Sequence, residues 1–288
     1  MAAEAAAIDS PDFSHEPFEG TPVQVVAIAG GKGGVGKSSV AVNLAIALAN
    51  EQHRVMLMDA NLGMANIDIM LDLHSEHNLS HVLEGHKELH DIVLDGPCGI
   101  KVVPASSGIS RMAKLTTTEN AALVNAFNSL PYDIDTLIVD TAAGITGSML
   151  TFCEAAREVM IVACDEPTSI TDAFSTIRVL NREHGVHRFR VVANKTESAQ
   201  QGLDIYNKLA RLADSELDVL LDFSGSIPLD AHLQKSVREQ RAVVDAYPRS
   251  RSAQAFQKLA SRVDRWPTPE NPDGHLEFFV ERLIKISK

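Results

Sequence analysis

Residues 31–38 have the sequence GKGGVGKS, in which closely spaced glycines surround two lysines and a serine ends the run. This is the pattern GxxxxGK[ST] of a loop that binds phosphate groups. Its glycines allow successive backbone N–H groups to point at β- and γ-phosphates, Lys37 supplies positive charge, and the Ser38 hydroxyl can reach Mg²⁺. We therefore expect the phosphates of a nucleotide and Mg²⁺ to bind here. The residues expected at the nucleotide are Gly31, Lys32, Gly33, Gly34, Val35, Gly36, Lys37, Ser38 and Ser39.

The elements around this loop indicate the fold that positions it. Residues 23–29 are apolar and β-branched, as in a buried parallel strand, and residues 38–50 are rich in good helix formers. The same alternation recurs along the chain, which predicts an α/β fold with a mostly parallel, twisted sheet and helices on both faces. The other predicted strands are 54–58, 100–103, 136–139, 159–163 and 189–193, and the other predicted helices are 119–130, 169–182, 230–241 and 251–262.

Composition excludes several classes of protein. The 288 residues include 26 basic and 38 acidic ones, a net charge of −12, which does not suit a protein that coats nucleic acid. The three cysteines form no CxxC pair, so we expect reduced thiols and no zinc or iron–sulfur ligand set. Residues 1–22 show no periodicity and predict a disordered acidic tail. The acids of this tail are Glu4, Asp9, Asp12, Glu16 and Glu19.

A second lysine, Lys32, lies at the second position of the phosphate loop. With the glycines on both sides, the stretch GGKGGVGKS resembles the deviant Walker A loop of the MinD/ParA family, a SIMIBI-class branch of P-loop NTPases. This resemblance implies a MinD-like P-loop ATPase domain over residues 23–264. In that family the early lysine reaches across an ATP-sandwich dimer to the phosphates of the partner. It therefore implies that the chain forms a homodimer with ATP in which Lys32 has this role.

The other family motifs follow in the expected order. The stretch MDANLGMANID at 58–68 resembles switch I, which implies that Asp59 and Asn61 lie near Mg²⁺ and the attacking water. The stretch LIVDTAAG at 137–144 resembles Walker B and switch II, which implies that Asp140 holds Mg²⁺ through water. The implied catalytic residues are Lys32, Lys37, Asp59, Asn61 and Asp140, and the implied metal site is Ser38, Asp59 and Asp140.

Position 61 departs from the family, which most often has aspartate there. An amide can orient a water but cannot accept its proton, while phosphoryl transfer depends mostly on positioning and charge neutralisation. We therefore predict slow ATP hydrolysis for a chain with Asn61.

Further residues resemble the part of the family site that holds the base and the partner. Asn194 resembles the adenine-reading asparagine, and the stretch IPLD, with Pro228 and Asp230, resembles the loop that covers the base. Glu166 lies in a stretch that faces the partner subunit in MinD-like dimers and is included among the nucleotide-binding candidates. For each of these residues a turn or helix-cap role remains the alternative.

Three stretches, 164–173, 240–250 and 274–283, resemble the flagellar-number regulators of the FleN/FlhG type. The resemblance implies an ATP-dependent switch that restrains a flagellar transcription activator, an enhancer-binding ATPase, and acts with a polar flagellar GTPase. It also implies a cytoplasmic protein that associates reversibly with the inner membrane, the cell pole being one candidate place. The DQAxxLR-like element, through which some members stimulate the GTPase, is not found in residues 1–22.

The last residues form an amphipathic pattern. Residues 265–275 contain three prolines and a glycine and predict a linker, after which the apolar residues of 276–288, except Phe278, fall on one side of a helix. Such a helix could bind a membrane surface or an apolar groove on its own protein, and we expect it to switch between the two.

Residues 235–265 contain eight basic and three acidic residues, a local charge of +5. A DNA-partitioning ATPase of the ParA type, with its DNA surface here, is therefore the alternative function. A solvated helical face or a site for an acidic protein partner is the expectation that we prefer, and direct DNA binding is not expected.

Overall fold

The computed structural model describes residues 23–61, 66–104, 126–127, 130–267, 280 and 282. These residues include one sheet of eight strands. The strands are β1 (Gln24–Ala29), β2 (Val55–Ala60), β3 (Leu94–Asp95), β4 (Lys101–Val103), β5 (Thr136–Thr141), β6 (Glu158–Ala163), β7 (Arg188–Thr196) and β8 (Leu220–Pro228). They are ordered β3-β4-β2-β5-β1-β6-β7-β8, and every neighbouring pair is parallel except β3 and β4. The predicted α/β fold with a mostly parallel sheet is therefore confirmed.

Helices cover both faces of this sheet. They are α1 (Lys37–Asn50), α2 (Ile67–Met70), α3 (Leu79–Leu83), α4 (Leu89–Ile92), α5 (Gly147–Ala155), α6 (Pro167–His184), α7 (Ala199–Glu216), α8 (Ala231–Arg238), α9 (Val243–Ala246) and α10 (Arg251–Val263). One apolar core lies between the sheet and helices α1, α9 and α10, and a second lies between the sheet and α5, α6 and α7. All residues of β1, β2, β5 and β6 are buried, because a parallel sheet with two covered faces has no solvent side.

The carboxyl ends of the parallel strands position the candidate site. The phosphate loop follows β1, Asp59 lies near the end of β2, and Asp140 lies near the end of β5. In the β2–β5 ladder Asp59 is directly opposite Asp140. Open α/β sheets bind ligands in the crevice at this edge, so the topology brings the sequence motifs together.

The edge strand β8 and the helices α5 and α7 are absent from the sequence-based predictions. The sequence of β8, LLDFSGSIP, is interrupted by aspartate, glycine and serines, and only some of its residues are buried. An edge strand has one unpaired side and tolerates such residues, so the apolar-run criterion does not detect it. The predicted helix at 119–130 lies almost wholly outside the described residues, as do the acidic tail and most of the linker.

Two residues of the predicted terminal helix are described, and both are helical. Val280 is buried in the same core as α5, and the Arg282 guanidinium donates a hydrogen bond of 2.9 Å to the Glu154 backbone carbonyl. At these two positions the terminal segment contacts the body of the protein. None of the described helices combines the length and apolar character needed to cross a bilayer.

Candidate functional site

The phosphate loop turns sharply between β1 and α1. Gly34 has φ 79° and Gly36 has φ 98°, a left-handed conformation that favours glycine. A Cβ atom at Gly36 would lie 2.2 Å from the Asn194 side-chain nitrogen, and one at Gly31 would lie 2.2 Å from the Asp172 carbonyl oxygen. The glycines are therefore required by backbone conformation and by close packing, and the loop opens at the N-terminus of α1 as a phosphate site requires.

Two residues from the end of β7 hold this loop in place. The Asn194 amide donates to the Val35 carbonyl at 2.7 Å, and the Lys195 ammonium donates to the Gly34 carbonyl at 2.7 Å. The Asn194 side-chain oxygen in turn accepts the Lys195 backbone N–H at 2.9 Å. Asn194 thus positions the loop, while its predicted contact with adenine stays a prediction.

Lys37 and Asp140 form the buried centre of the site. Burial lowers the pKa of Lys37, and the negative charge of Asp140 opposes that shift. Burial raises the pKa of Asp140 to about 7, and the neighbouring Ser38 hydroxyl and Lys37 ammonium act against this change. Neither carboxylate oxygen of Asp140 has a hydrogen-bond partner in the described part of the chain.

A buried carboxylate without donors is costly unless a cation compensates it. Asp59 lies opposite Asp140 in the ladder, and the Ser38 side chain faces Asp140 from the start of α1. Hydroxyl and carboxylate oxygens are the ligands that Mg²⁺ prefers. The residues present therefore fit a Mg²⁺ site, as predicted for Ser38, Asp59 and Asp140.

Asp59 also binds the backbone at three described positions after β2. Its carboxylate accepts hydrogen bonds from the backbone N–H groups of Asn61 at 3.0 Å, Asn66 at 3.0 Å and Ile67 at 3.2 Å. Burial raises the pKa of Asp59, and these three bonds act in the opposite direction. Both ends of the loop 61–66 are held by one side chain, so Asn61 has a defined place beside the predicted metal site.

The signature lysine makes its contacts within its own chain. The Lys32 ammonium donates to the Glu166 carboxylate and, at 3.0 Å, to the Thr168 hydroxyl at the start of α6. The hydrogen bond with Glu166 raises the pKa of Lys32, and the same bond lowers the pKa of Glu166. Both side chains are exposed to solvent, so the pair contributes little stability and can open at low cost. The role of Lys32 across a dimer stays a prediction.

Asp230 is a structural residue in the described chain. It accepts bonds from the His232 N–H at 2.9 Å and from the Ser252 N–H and hydroxyl, both at 2.9 Å. Burial alone would raise its pKa, but these hydrogen bonds outweigh burial and lower the pKa to about 2. Asp230 thereby joins the end of β8 to α8 and α10, next to Pro228, and its predicted nucleotide contact is not tested by these bonds.

The basic stretch 235–265 does not form one patch. Lys235 pairs with Glu239 at 3.7 Å and Arg241 pairs with Asp245 at 2.7 Å, which neutralises part of the local charge. Arg251, Lys258 and Arg262 instead lie along one side of α10 and line a separate cleft. The cationic surface of this stretch is therefore narrower than its sequence charge indicates.

Sequence reasoning missed three groups that support the site. These are Lys195, the Thr141 hydroxyl, which donates to the Ile28 carbonyl at 2.8 Å, and the Cys164 thiol, which lies 3.5 Å from the Val35 carbonyl. Lys195 and Cys164 belong to no phosphate-binding pattern, and Thr141 lies in the stretch 137–144, where the resemblance implies a role for Asp140 and none for Thr141. All three lie within two residues of the end of a predicted strand, which is the sequence signal that could have indicated them.

Comparisons with known proteins agree with this geometry. The family model ParA, described as NUBPL iron-transfer P-loop NTPase, matches residues 22–264. The chain is 52% identical to the antiactivator FleN of Pseudomonas aeruginosa over 92% of this chain and 94% of the relative. It is 30% identical to the flagellum site-determining protein YlxH of Helicobacter pylori over 90% and 89% of the two chains. Among solved structures, MinD of Pyrococcus horikoshii with Mg-ADP matches with a TM-score of 0.66 at 23% identity, over 84% of this chain and 96% of that one.

Proposed function

Because the chain belongs to the ParA family of P-loop NTPases, we propose that it is an ATP-dependent dimerising switch with slow ATP hydrolysis that regulates flagellar number. The observation that carries the nucleotide part is Asp140, whose buried carboxylate has no partner among the described residues and lies beside Lys37, Ser38 and Asp59. The relatives named antiactivator FleN and flagellum site-determining protein support the flagellar part.

The residues divide the work of hydrolysis among them. The loop N–H groups and Lys37 bind the phosphates of ATP. Ser38, Asp59 and Asp140 would hold Mg²⁺, which neutralises charge on the phosphate oxygens when bound. Asn61 orients the attacking water without accepting its proton, so the reaction depends on position and charge and is slow.

Lys32 is the residue that couples nucleotide to dimerisation in this proposal. In the described chain its ammonium binds Glu166 and Thr168, at the surface and beside the phosphate loop. An exposed pair of this kind exchanges readily for a more highly charged partner. ATP in a second subunit offers such a partner, so Lys32 would leave Glu166 when two copies close on two nucleotides.

Light scattering during size-exclusion chromatography tests the switch. We expect the molar mass of the wild-type protein to double with ATP and Mg²⁺. With ADP we expect the protein to stay monomeric. Lys32→Ala should stay monomeric with both nucleotides while still binding ATP in a titration. Lys235→Ala, which removes an exposed lysine far from the loop, should dimerise as wild type does. A wild-type protein that remains monomeric with ATP would exclude the proposal.

Flagellar regulation is tested in cells. We expect expression of this chain in a P. aeruginosa strain lacking FleN to return the number of flagella per cell towards the parental value. The Asp140→Asn variant, which loses a carboxylate at the predicted metal site, should fail although it accumulates to the same level. Equal restoration of flagellar number by the wild-type chain and by Asp140→Asn would show that flagellar regulation does not need the predicted metal site.

A further inference from the structure

A cleft of about 360 Å³ lies at the open edge of the sheet; no phosphate-loop residue lines it, and Pro228 of the predicted base-covering loop lies at its margin. Strand β8 forms its floor, the N-terminus of α7 forms one wall, and α10 forms the other wall. Ser224 lines the floor, is 3% exposed and makes no hydrogen bond through its hydroxyl within the described chain. The floor of the cleft therefore presents an unpaired hydroxyl within a lining of mixed polar and apolar residues.

One wall of the cleft is cationic along its whole length. Arg251, Lys258 and Arg262 follow each other at i, i+7 and i+11, which places them within about 40° of one another around the helix axis. No acidic residue belongs to α10, and Glu197 is the one acid among the described residues of the cleft lining. The side of α10 that faces the cleft is thus suited to an anionic ligand.

None of the three cations is neutralised by an acid in the described chain, and the two arginines are held in place by hydrogen bonds. The guanidinium groups donate to backbone carbonyls of the cleft rim, Arg251 to Leu229 at 3.1 Å and Arg262 to Phe223 at 3.0 Å. Each bond uses one of five guanidinium donors and supplies no negative charge. Lys258 has no ion pair or hydrogen bond in the described chain, whereas Lys235 and Lys208 both have carboxylate partners.

The backbone of β8 adds a second binding feature. It is the last strand in the sheet order, so the groups along its outer side have no ladder partner in the described sheet. An extended peptide can pair with such an edge while its side chains reach a neighbouring wall. A chain with acidic side chains would meet the cations of α10 in that arrangement.

We propose that the acidic segment 1–22 of this chain occupies the cleft and shields it from other anions. The segment contains five acids and no lysine or arginine, which complements the cationic wall. It also joins the fold beside the C-terminal end of α10, because the Gln24 side chain at the start of β1 donates to the Val263 carbonyl at 3.4 Å. Arg262, at the lower end of the cationic wall, is the residue before Val263.

The segment is long enough to reach. Three strand spacings separate β1 from β8 in the sheet order, a distance of about 14 Å that four or five extended residues can cross. From Arg262 to Arg251 the wall is about 16 Å long, which five further extended residues can follow. Glu19 and Glu16 are then the first acids to reach the wall, and the remaining acids lie farther along.

Covalent attachment keeps this ligand at the cleft. A short tether gives an effective concentration on the order of 1 mM, so even a segment with a dissociation constant of about 0.1 mM would fill the cleft most of the time. A free anion must displace the segment, which weakens its apparent affinity about tenfold. The segment therefore restricts the cleft to partners that are more strongly anionic than itself.

Zero-length cross-linking with a carbodiimide tests the contact in the full chain. We expect carboxylates of segment 1–22 to couple to Lys258 at least about fivefold more often than to Lys235, because effective concentration decides the yield. High salt should remove this preference. When ¹⁵N-labelled and unlabelled protein are mixed, each cross-linked peptide pair should be wholly labelled or wholly unlabelled, because the contact forms within one copy of the chain. Equal coupling to both lysines, or equal coupling between copies, would overturn the proposal.

A binding experiment tests the shielding. The probe is a fluorescein-labelled peptide of residues 4–20, and the receptor is the full chain with the five acids changed (Glu4→Gln, Asp9→Asn, Asp12→Asn, Glu16→Gln, Glu19→Gln). We expect the peptide to bind this variant about tenfold more tightly than wild type, and Lys258→Glu in the same background to abolish the gain. Equal affinity for wild type and variant would refute shielding. Tighter binding of a random DNA duplex than of the peptide would instead make the cleft a nucleic-acid site and overturn the proposal.

Discussion

At the scale of single residues, Asp59 holds the backbone at position 61, so a change of the Asn61 side chain should affect chemistry more than structure. Its carboxylate holds the backbone of Asn61 and of Asn66, so these two positions are held through main-chain groups whatever side chain residue 61 carries. Asn61 is partly exposed, which leaves room for a carboxylate of almost the same size. Changing this amide therefore changes proton acceptance while the fold stays the same.

The Asn61→Asp variant should hydrolyse ATP faster than wild type. A positioned general base contributes about 10²- to 10⁴-fold, and because positioning is already present we expect a gain of about tenfold in kcat with little change in KM. Steady-state release of phosphate measures it. Asn78→Asp makes the same chemical change at the start of α3, where the side chain only caps a helix, and should leave kcat unchanged. Equal turnover by wild type and Asn61→Asp would refute the slow-hydrolysis prediction.

At the scale of elements, Asp230 joins three of them. Its carboxylate lies at the N-terminus of α8 and binds Ser252 at the start of α10, directly after β8. A carboxylate that accepts several hydrogen bonds is stabilised in its charged form. The lowered pKa of Asp230, about 2, therefore makes the joint between β8, α8 and α10 depend on pH.

Replacement of Asp230 by asparagine should destabilise the protein at neutral pH. A native pKa of about 2 against an unfolded value of about 3.9 corresponds to about 2.6 kcal/mol of unfolding free energy. Because the native pKa is the lower one, this stabilisation is complete above the unfolded pKa and is lost as the pH falls through the native pKa. The difference between wild type and variant in urea unfolding should therefore be full at about pH 7 and shrink below about pH 4.

Asp204→Asn is the matched control, since Asp204 is an exposed aspartate on α7 that binds one side chain of its own helix. It should cost less than about 0.5 kcal/mol at either pH. If the loss of unfolding free energy in Asp230→Asn stayed constant from neutral to acid pH, shape rather than charge would maintain the joint between β8, α8 and α10.

Local patterns predict what lies in one stretch of chain, and the structure adds what distant stretches do to one another. The phosphate loop, the central strands and Asp59 and Asp140 are each carried by a short apolar run with a polar end, so the sequence predicts them. The clamp of Asn194 and Lys195 on Val35 and Gly34 joins residues about 160 positions apart, and no local pattern contains it. The edge strand β8 is not predicted for a related reason: its polar residues are accommodated by its position beside α7 and α10, which no local pattern contains.

At the scale of the whole molecule, the net charge of −12 is distributed unevenly. Segment 1–22 contributes −5 of it, while the wall of the cleft on α10 contains three cations and no acid. Towards the other end of the sequence, Val280 is buried in the same core as α5, and the Arg282 side chain donates a hydrogen bond to the Glu154 carbonyl in that helix. These two residues therefore connect distant sequence to the body of the protein.

The contacts of Val280 and Arg282 with the body of the protein lead to a prediction about membrane binding. If the apolar side that contains Val280 is buried against the body, it is unavailable to lipid until the segment is released. The bond from Arg282 to the Glu154 carbonyl contributes about 1 kcal/mol to docking, so Arg282→Ala should raise the undocked population about fivefold. In liposome flotation with ADP, this variant should bind several-fold more than wild type, and the difference in binding between ATP and ADP should narrow.

Lys285→Ala is the control. It removes the same charge from the same segment and should not increase binding, because lost charge by itself weakens attraction to anionic lipid. If both variants bind less than wild type in ADP, Arg282 acts on lipid rather than on the body, and the docked state does not control membrane attachment.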